Sequence, residues 1–272
     1  MSTTTINFGQ LPALQLRAPD GAEATITLYG AHLVSWKAVT TAEAPGQERL
    51  FLSSLSALDG QKAIRGGVPV IFPQFAERGT GMRHGFARVA TWRVVDQGEQ
   101  DDAAFAVLAL NQSDLPPQLA AAWPFAFELQ LRVAVHGAQL DMSLEVRNTG
   151  TQAFPFAAAL HTYHLVDDVD AVRIDGVQAD TLALTDKLDQ VFERIPGTIT
   201  FDSGADKVTL EQTGFTDAVV WNPGAADAAA LSDMDDEEYR RFVCIEPALL
   251  GPQQLEPGGV WRGTSRATVQ AG

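Results

Sequence analysis

Two alternating runs near the middle of the chain constrain the fold most. Phe127, Leu129, Leu131, Val133 and Val135 alternate with Glu128, Gln130, Arg132 and Ala134. After His136-Gly137-Ala138, Leu140, Met142, Leu144 and Val146 alternate with Asp141, Ser143, Glu145 and Arg147. Successive side chains of a strand point to opposite faces, so this spacing predicts an antiparallel hairpin with one buried and one wetter face. Asn148-Thr149-Gly150 closes it as a turn. Further strands are expected at Thr25–Tyr29, His32–Lys37, Ala104–Leu110, Ala171–Ile174, Thr198–Phe201, Lys207–Glu211, Ala218–Trp221, Phe242–Glu246 and Trp261–Val269. Only Ser232–Arg241 reads as a short helix, with Ser232 as N-cap and acids in the first turn. Many short strands and scarce helix predict an all-β fold, a large antiparallel sandwich spanning 1–272 as one domain. At 272 residues and 46% hydrophobic, the chain has material for the core such a fold needs.

Charge narrows the partners. The net charge is −15, which argues against nucleic acid, since a duplex needs a basic surface. The charge is unevenly placed. Between Gln61 and Val95 lie Lys62, Arg65, Arg78, Arg83, Arg88 and Arg93 against the single acid Glu77, a window of +5; the rest holds 13 basic and 33 acidic residues. Such an island in an acidic protein suggests a local anion site, the alternative being chance clustering on a solvated face. The polar, Thr-rich start lacks the marks of a signal peptide, and no apolar run approaches the ~18 residues of a membrane span. A single cysteine, Cys244, excludes an intramolecular disulfide and fits a reducing cytoplasm.

Phosphate-binding and dinucleotide-binding loops are absent, as is a G-x-S-x-G elbow. With Cys244 alone there is no cysteine-based zinc motif. His161 and His164, three apart, fall on opposite faces of a strand and are not expected to share a metal. Four segments remain. In Ala63-Ile64-Arg65-Gly66-Gly67-Val68-Pro69-Val70-Ile71-Phe72-Pro73-Gln74-Phe75, adjacent glycines permit close backbone approach and prolines argue against a central strand. The segment is either a loop with an edge strand or a rigid rim aiming Arg65 into a pocket. Arg83-His84-Gly85-Phe86-Ala87-Arg88 puts two arginines, suited to phosphate, around a histidine whose role is open. Phe156–Leu165 is an apolar run with small alanines delivering His161 beside an aromatic, as a ligand-facing group or a core histidine. In Phe242-Val243-Cys244-Ile245-Glu246-Pro247-Ala248, a glutamate sits in an apolar strand, a costly placement unless paired or functional, unless Pro247 ends the strand and Glu246 points to solvent.

Taken together and in order, I-R-G-G-V-P-V-I-F-P-Q-F, R-H-G-F-A-R, L-H-T-Y-H, W-N-P, S-D-M-D-D-E-E-Y and C-I-E-P-A resemble the glucose-6-phosphate 1-epimerase branch of the aldose 1-epimerase superfamily, from about Tyr29 to Trp261. The resemblance implies a galactose-mutarotase-like supersandwich with no cofactor and no metal. It places the catalytic histidine on His161 and the catalytic glutamate on Glu246. Phosphate and sugar contacts fall on Arg65, Arg83 and Arg88, and a further acidic contact on Asp206, where Lys207 replaces the usual arginine and the preceding acid is missing. After Trp221-Asn222-Pro223, relatives continue with an aromatic and a lysine, but here Gly224-Ala225-Ala226-Asp227 follows, which changes one wall of the expected pocket.

The chemistry this implies is ring opening of a cyclic hemiacetal. A base takes the proton from O1 and an acid gives one to ring O5; rotation about C1–C2 and reversal of roles close the ring as the other anomer. Glu246 is the expected base and His161 the acid, both with pKa values moved toward neutrality. The expected partner is a sugar phosphate acting on a monomer, without nucleic acid or membrane. Alternatives are an epimerase of unphosphorylated aldoses, a noncatalytic carbohydrate-binding or sugar-sensing sandwich, and a sugar lyase or hydrolase, for which a second carboxylate is wanting.

Overall fold

The computed structural model describes residues 2–41, 45–204 and 206–271. The predicted hairpin is present: Phe127–His136 and Gln139–Asn148 pair antiparallel, with His136 opposite Gln139 and Val135 opposite Leu140. Along both strands the apolar positions are buried and the polar ones partly exposed, so the period-2 pattern sets the register. This hairpin is the centre of a nine-stranded sheet. Its order is Leu182–Ala183, Arg173–Asp175, Thr198–Asp202, Asp206–Thr213, Val260–Ala271, Gln139–Asn148, Phe127–His136, Ala103–Asn111, Arg93–Gln100.

Two other sheets pack with it. A five-stranded meander is made of Thr3–Phe8, Leu11–Arg17, Glu23–Thr27, His32–Ala38 and Gln47–Glu48. The third sheet runs Leu188–Phe192, Asp217–Asn222, Phe242–Leu255, Phe154–Leu160, Val70–Ile71, with Tyr163–Leu165 also paired to Phe242–Leu255. Pairings between these strands are antiparallel, and one continuous apolar core, including Leu33, Leu131, Phe156 and Val243, runs through all three sheets.

Several expectations need correction. Ala171–Ile174 is a 3-10 turn, Val169–Ala171, followed by a short strand, Arg173–Asp175. No α-helix forms over Ser232–Arg241; only Glu238–Arg241 makes a 3-10 turn. Acids of this stretch, Asp233 in the expected first turn and Glu238 beyond it, are engaged elsewhere. Glu238 accepts from Ser53 Oγ at 2.6 Å and from the Ser54 N–H at 2.8 Å, while Asp233 binds Arg65. Among the described residues, two short α-helices lie instead at Pro117–Ala122 and Gly224–Ala228. No described helix is long and apolar enough to cross a membrane.

The proline-bracketed segment is an edge element, Val70–Ile71. The glycine pair before it is forced by close approach. Both residues have positive φ, and a Cβ at Gly67 would stand 2.3 Å from the Leu33 carbonyl oxygen and 2.8 Å from His32 Nε2. This clamp fixes where Arg65 leaves the backbone.

Candidate active site

The third sheet supplies the floor of a cavity of about 460 Å³. Its strands are in register so that Tyr163 lies opposite Cys244, Cys244 opposite Trp221, and Trp221 opposite Asp189. Glu246, two residues beyond Cys244, projects from the same face and lies opposite Val219. Pro247 does not end the strand, which runs from Phe242 to Leu255, and Glu246 is 1% exposed, so the solvent-facing alternative is excluded.

His161 is the first residue past the strand Phe154–Leu160. Its N–H leaves the sheet ladder to donate to Pro69 O at 3.0 Å, and the ladder resumes at Tyr163. His161 Nδ1 stands 3.4 Å from Glu246 Oε1. The Tyr163 ring stacks on the imidazole, with centroids 5.0 Å apart and planes 11° from parallel, while Trp221 meets it edge-on. His164 turns the other way, into the space between the sheets against Phe201, and does not meet His161 in this cavity.

The basic island forms the opposite wall. Arg65, Arg83 and Arg88 all line the cavity, with Lys62 at its edge. Arg65 is already held: its Nε and Nη2 each donate to Asp233 at 3.2 Å, and Nη1 donates to Tyr163 Oη at 3.2 Å. Burial works against the Arg65 charge, but Tyr163 and Asp233 outweigh it and hold the guanidinium above its ordinary pKa. Arg88 is different. Its Nη2 donates to Arg83 O at 3.0 Å, but its buried Nε has no hydrogen-bond partner among the described residues. Burial lowers its pKa, and so do the neighbouring Arg65 and Arg83 charges. An anion beside Arg88 would relieve both penalties. Arg83 has only a long, exposed contact to Glu77, at 3.5 Å.

His84 lies inside the same wall, edge-on to His161 with centroids 5.5 Å apart. Its Nδ1 accepts from the Ala76 N–H at 3.3 Å, so the neutral ring carries its proton on Nε2. The next residue must be glycine: Gly85 has φ 69°, and a Cβ there would meet Phe72 O at 2.0 Å. Burial, then Arg88, Arg83 and Arg65, push the His84 pKa down to about 3.

His161 and Glu246 are shifted in opposite directions. Burial, with Asp189 adding to it, raises the Glu246 carboxyl well above its ordinary value. Burial, then His84, Arg88 and Arg65, lower His161 well below the ordinary imidazole value. Glu246 thus moves as its burial in an apolar strand suggests, but His161 moves away from neutrality rather than toward it. Both directions favour the uncharged forms of the two groups, a protonated Glu246 beside a neutral His161.

Of the residues singled out in the sequence, the fold brings Arg65, Arg83, Arg88, His161 and Glu246 to one cavity. Asp206 it does not. That residue opens the strand Asp206–Thr213 in the nine-stranded sheet, its carboxylate is paired with Arg49, and it is not among the cavity residues. The acid that lines the cavity is Asp189, and a second is Asp233. Sequence reasoning missed both. Asp189 sits in a short edge strand whose row assignment depends on pairing with Asp217–Asn222, and Asp233 lies in the stretch misread as helix.

The sequence family described as aldose 1-epimerase matches residues 12–268. A Cenchrus ciliaris protein named "Putative glucose-6-phosphate 1-epimerase" is 36% identical over 279 residues, covering 93% of this chain and 83% of that protein. A protein of the same name from Salmonella typhimurium strain LT2 is 31% identical, covering 93% and 89%. Among solved structures, one titled a putative mutarotase, from Salmonella typhimurium, superposes with a TM-score of 0.88 at 25% identity, over 100% of this chain and 94% of that one. A galactose mutarotase-like protein from Clostridium acetobutylicum shares the fold, with a TM-score of 0.74 at 16% identity over 99% and 98%.

Proposed function

Because the chain belongs to the aldose 1-epimerase family, we propose that it interconverts the α and β anomers of a hexose 6-phosphate, glucose 6-phosphate foremost, by acid–base ring opening and reclosure. The observation that carries this reading is the buried His161–Glu246 pair, 3.4 Å apart, facing a wall of arginines in one cavity. The pair supplies one exchangeable proton to a hemiacetal that needs one proton removed at O1 and one delivered at O5. The arginines supply a seat for a phosphate that the protein's overall charge would repel; beyond ~8 Å salt screens that repulsion.

Substrate arrival also bears on the proton. The charges of Arg88 and Arg65 help hold His161 neutral. A phosphate beside them offsets that repulsion, raising the proton affinity of His161 and favouring transfer from Glu246 across the 3.4 Å gap. Glu246 is then the base toward O1 and His161 the acid toward O5. Arg88 and Arg83 take the phosphate, Asp189 faces the sugar from the cavity wall, and Arg65, held by Asp233, braces Tyr163 against His161. The lone thiol Cys244 supports a reducing compartment such as the cytoplasm.

The test compares exchange at the anomeric carbon of glucose 6-phosphate, glucose and galactose, by NMR. Acceleration confined to, or strongly favouring, the phosphosugar supports the proposal. Acceleration of the free sugars alone would keep the ring-opening pair and remove the phosphate from the arginine wall.

A further inference from the structure

The proposed reaction uses His161 and Glu246 and leaves Cys244 aside. Yet Cys244 projects from the same face of its strand as Glu246 and is fully buried, paired across the sheet with Tyr163 on one side and Trp221 on the other. One ring nitrogen of His161, the Cys244 sulfur and a Glu246 carboxylate oxygen all lie within 4.8 Å of one another. Two atoms of this cluster are buried without a hydrogen-bond partner among the described residues, His161 Nδ1 and Glu246 Oε2. A buried polar atom left without a partner is costly, so both favour a ligand that would engage them.

A thiophilic divalent cation would satisfy the cluster. Thiolate, imidazole and carboxylate are the donors zinc takes, at about 2.0–2.3 Å. Bonds of that length set tetrahedral ligands roughly 3.3–3.8 Å apart, so the three donors need close by only about 1 Å. The charges balance: a 2+ ion displaces the thiol proton and the proton of the His161–Glu246 pair, leaving a cluster of no net charge beside Arg65 and Arg88. His161 and Glu246 both line the cavity, from which water or a sugar hydroxyl would complete the shell. Magnesium, which demands six oxygens in an octahedron, finds no match here.

We propose that His161, Cys244 and Glu246 form an inhibitory site for a thiophilic divalent cation of the Zn2+ class. The ion occupies the imidazole nitrogen and the carboxylate that the proton transfers require. Its binding stands on the donor geometry alone; its effect on turnover rests on the epimerase reading.

The experiment titrates Co2+ into the full chain as a spectroscopic probe, with Zn2+ as competitor. The expected result is a thiolate-to-cobalt charge-transfer band in the near ultraviolet that saturates at one equivalent, vanishes in Cys244→Ser and Cys244→Ala, and is abolished by Zn2+. In the anomer-exchange assay, Zn2+ inhibits the wild type, saturating glucose 6-phosphate opposes it, and Mg2+ does nothing. The Cys244 variants keep turnover and need about tenfold or more Zn2+ for the same inhibition. Should the buried Cys244 variants fail to fold, Glu246→Gln removes a second ligand and must weaken the band, which is read without activity. No band at one equivalent overturns the site, and a band on an active, uninhibited enzyme overturns the inhibition. A band on a protein that exchanges no anomers supports the site and counts against the catalytic reading.

Discussion

His161 and Glu246 are two groups that each resist charge, placed 3.4 Å apart. The active pair carries one proton. On acidification the second proton must go to His161, whose pKa lies well below 6.5, so the acid limb of kcat/KM falls below pH 6.5 once the phosphate's own ionisation near ~6 is removed. The alkaline limb reports loss of the shared proton and lies well above the ordinary carboxylate value of 4.5, because Glu246 is raised. An acid limb centred at or above pH 6.5 would contradict this electrostatic picture. Arg88 carries a separate expectation. Its buried Nε has no partner among the described residues, whereas Arg65 is already bound to Asp233. Arg88→Ala should therefore raise KM for glucose 6-phosphate roughly ten- to a hundredfold with a much smaller change in kcat. Steady-state kinetics on both substrates checks it, and an unchanged KM would take Arg88 out of the phosphate seat.

The elements explain what the sequence made legible and what it hid. The hairpin at 127–148 could be read because each of its strands has one buried face, and alternation of side chains records that directly. His161 and Glu246 stood out because polar groups in apolar strands are costly, and both prove buried. The row Asp189–Trp221–Cys244–Tyr163 was hidden, since it exists only through strand register, and no local spacing carries that information. Asp206, matched only through a motif position, lies in the nine-stranded sheet, where its carboxylate pairs with Arg49 rather than facing the cavity. The segment 232–241 shows tertiary contacts overriding propensity. It carries a capping serine and first-turn acids, but Asp233 of that turn serves Arg65, and Glu238 farther along serves Ser53. On the proposed reading Asp233 is a positioning residue, linked through Arg65 and Tyr163 to the His161 ring. Asp233→Asn should lower kcat by roughly tenfold while leaving KM for the phosphosugar nearly unchanged, because misplaced catalytic groups lose rate before affinity. A raised KM at constant kcat would show Asp233 contacting substrate instead.

The whole molecule buries an unusual set of neutral histidines. His32 and His164 are pushed down to about 4, chiefly by burial, and His84 and His161 are lowered as well. Between pH 6.5 and about 4 the unfolded chain holds protons on these rings that the folded chain does not, so stability is full above pH 6.5 and is lost as pH falls. His32 and His164 each contribute roughly 3 kcal/mol to that loss. Glu246 acts oppositely, since its raised pKa makes the folded state hold a proton that the unfolded state releases above 4.5, but it is one group against four. With one apolar core joining the three sheets, we expect urea unfolding in a single transition whose midpoint drops steeply between pH 6.5 and 4. Two separated transitions, or a midpoint constant over that window, would contradict this.

The central claim is that His161 and Glu246 together exchange the anomers of a hexose phosphate. The most direct measurement is the α/β exchange rate of glucose 6-phosphate, labelled at C1, with wild type, His161→Asn and Glu246→Gln, each verified as folded by its urea midpoint. The account predicts acceleration by the wild type and a loss of at least about a hundredfold in either variant. A folded wild type that leaves the exchange at its spontaneous rate, or a variant that keeps the wild-type rate, would contradict it.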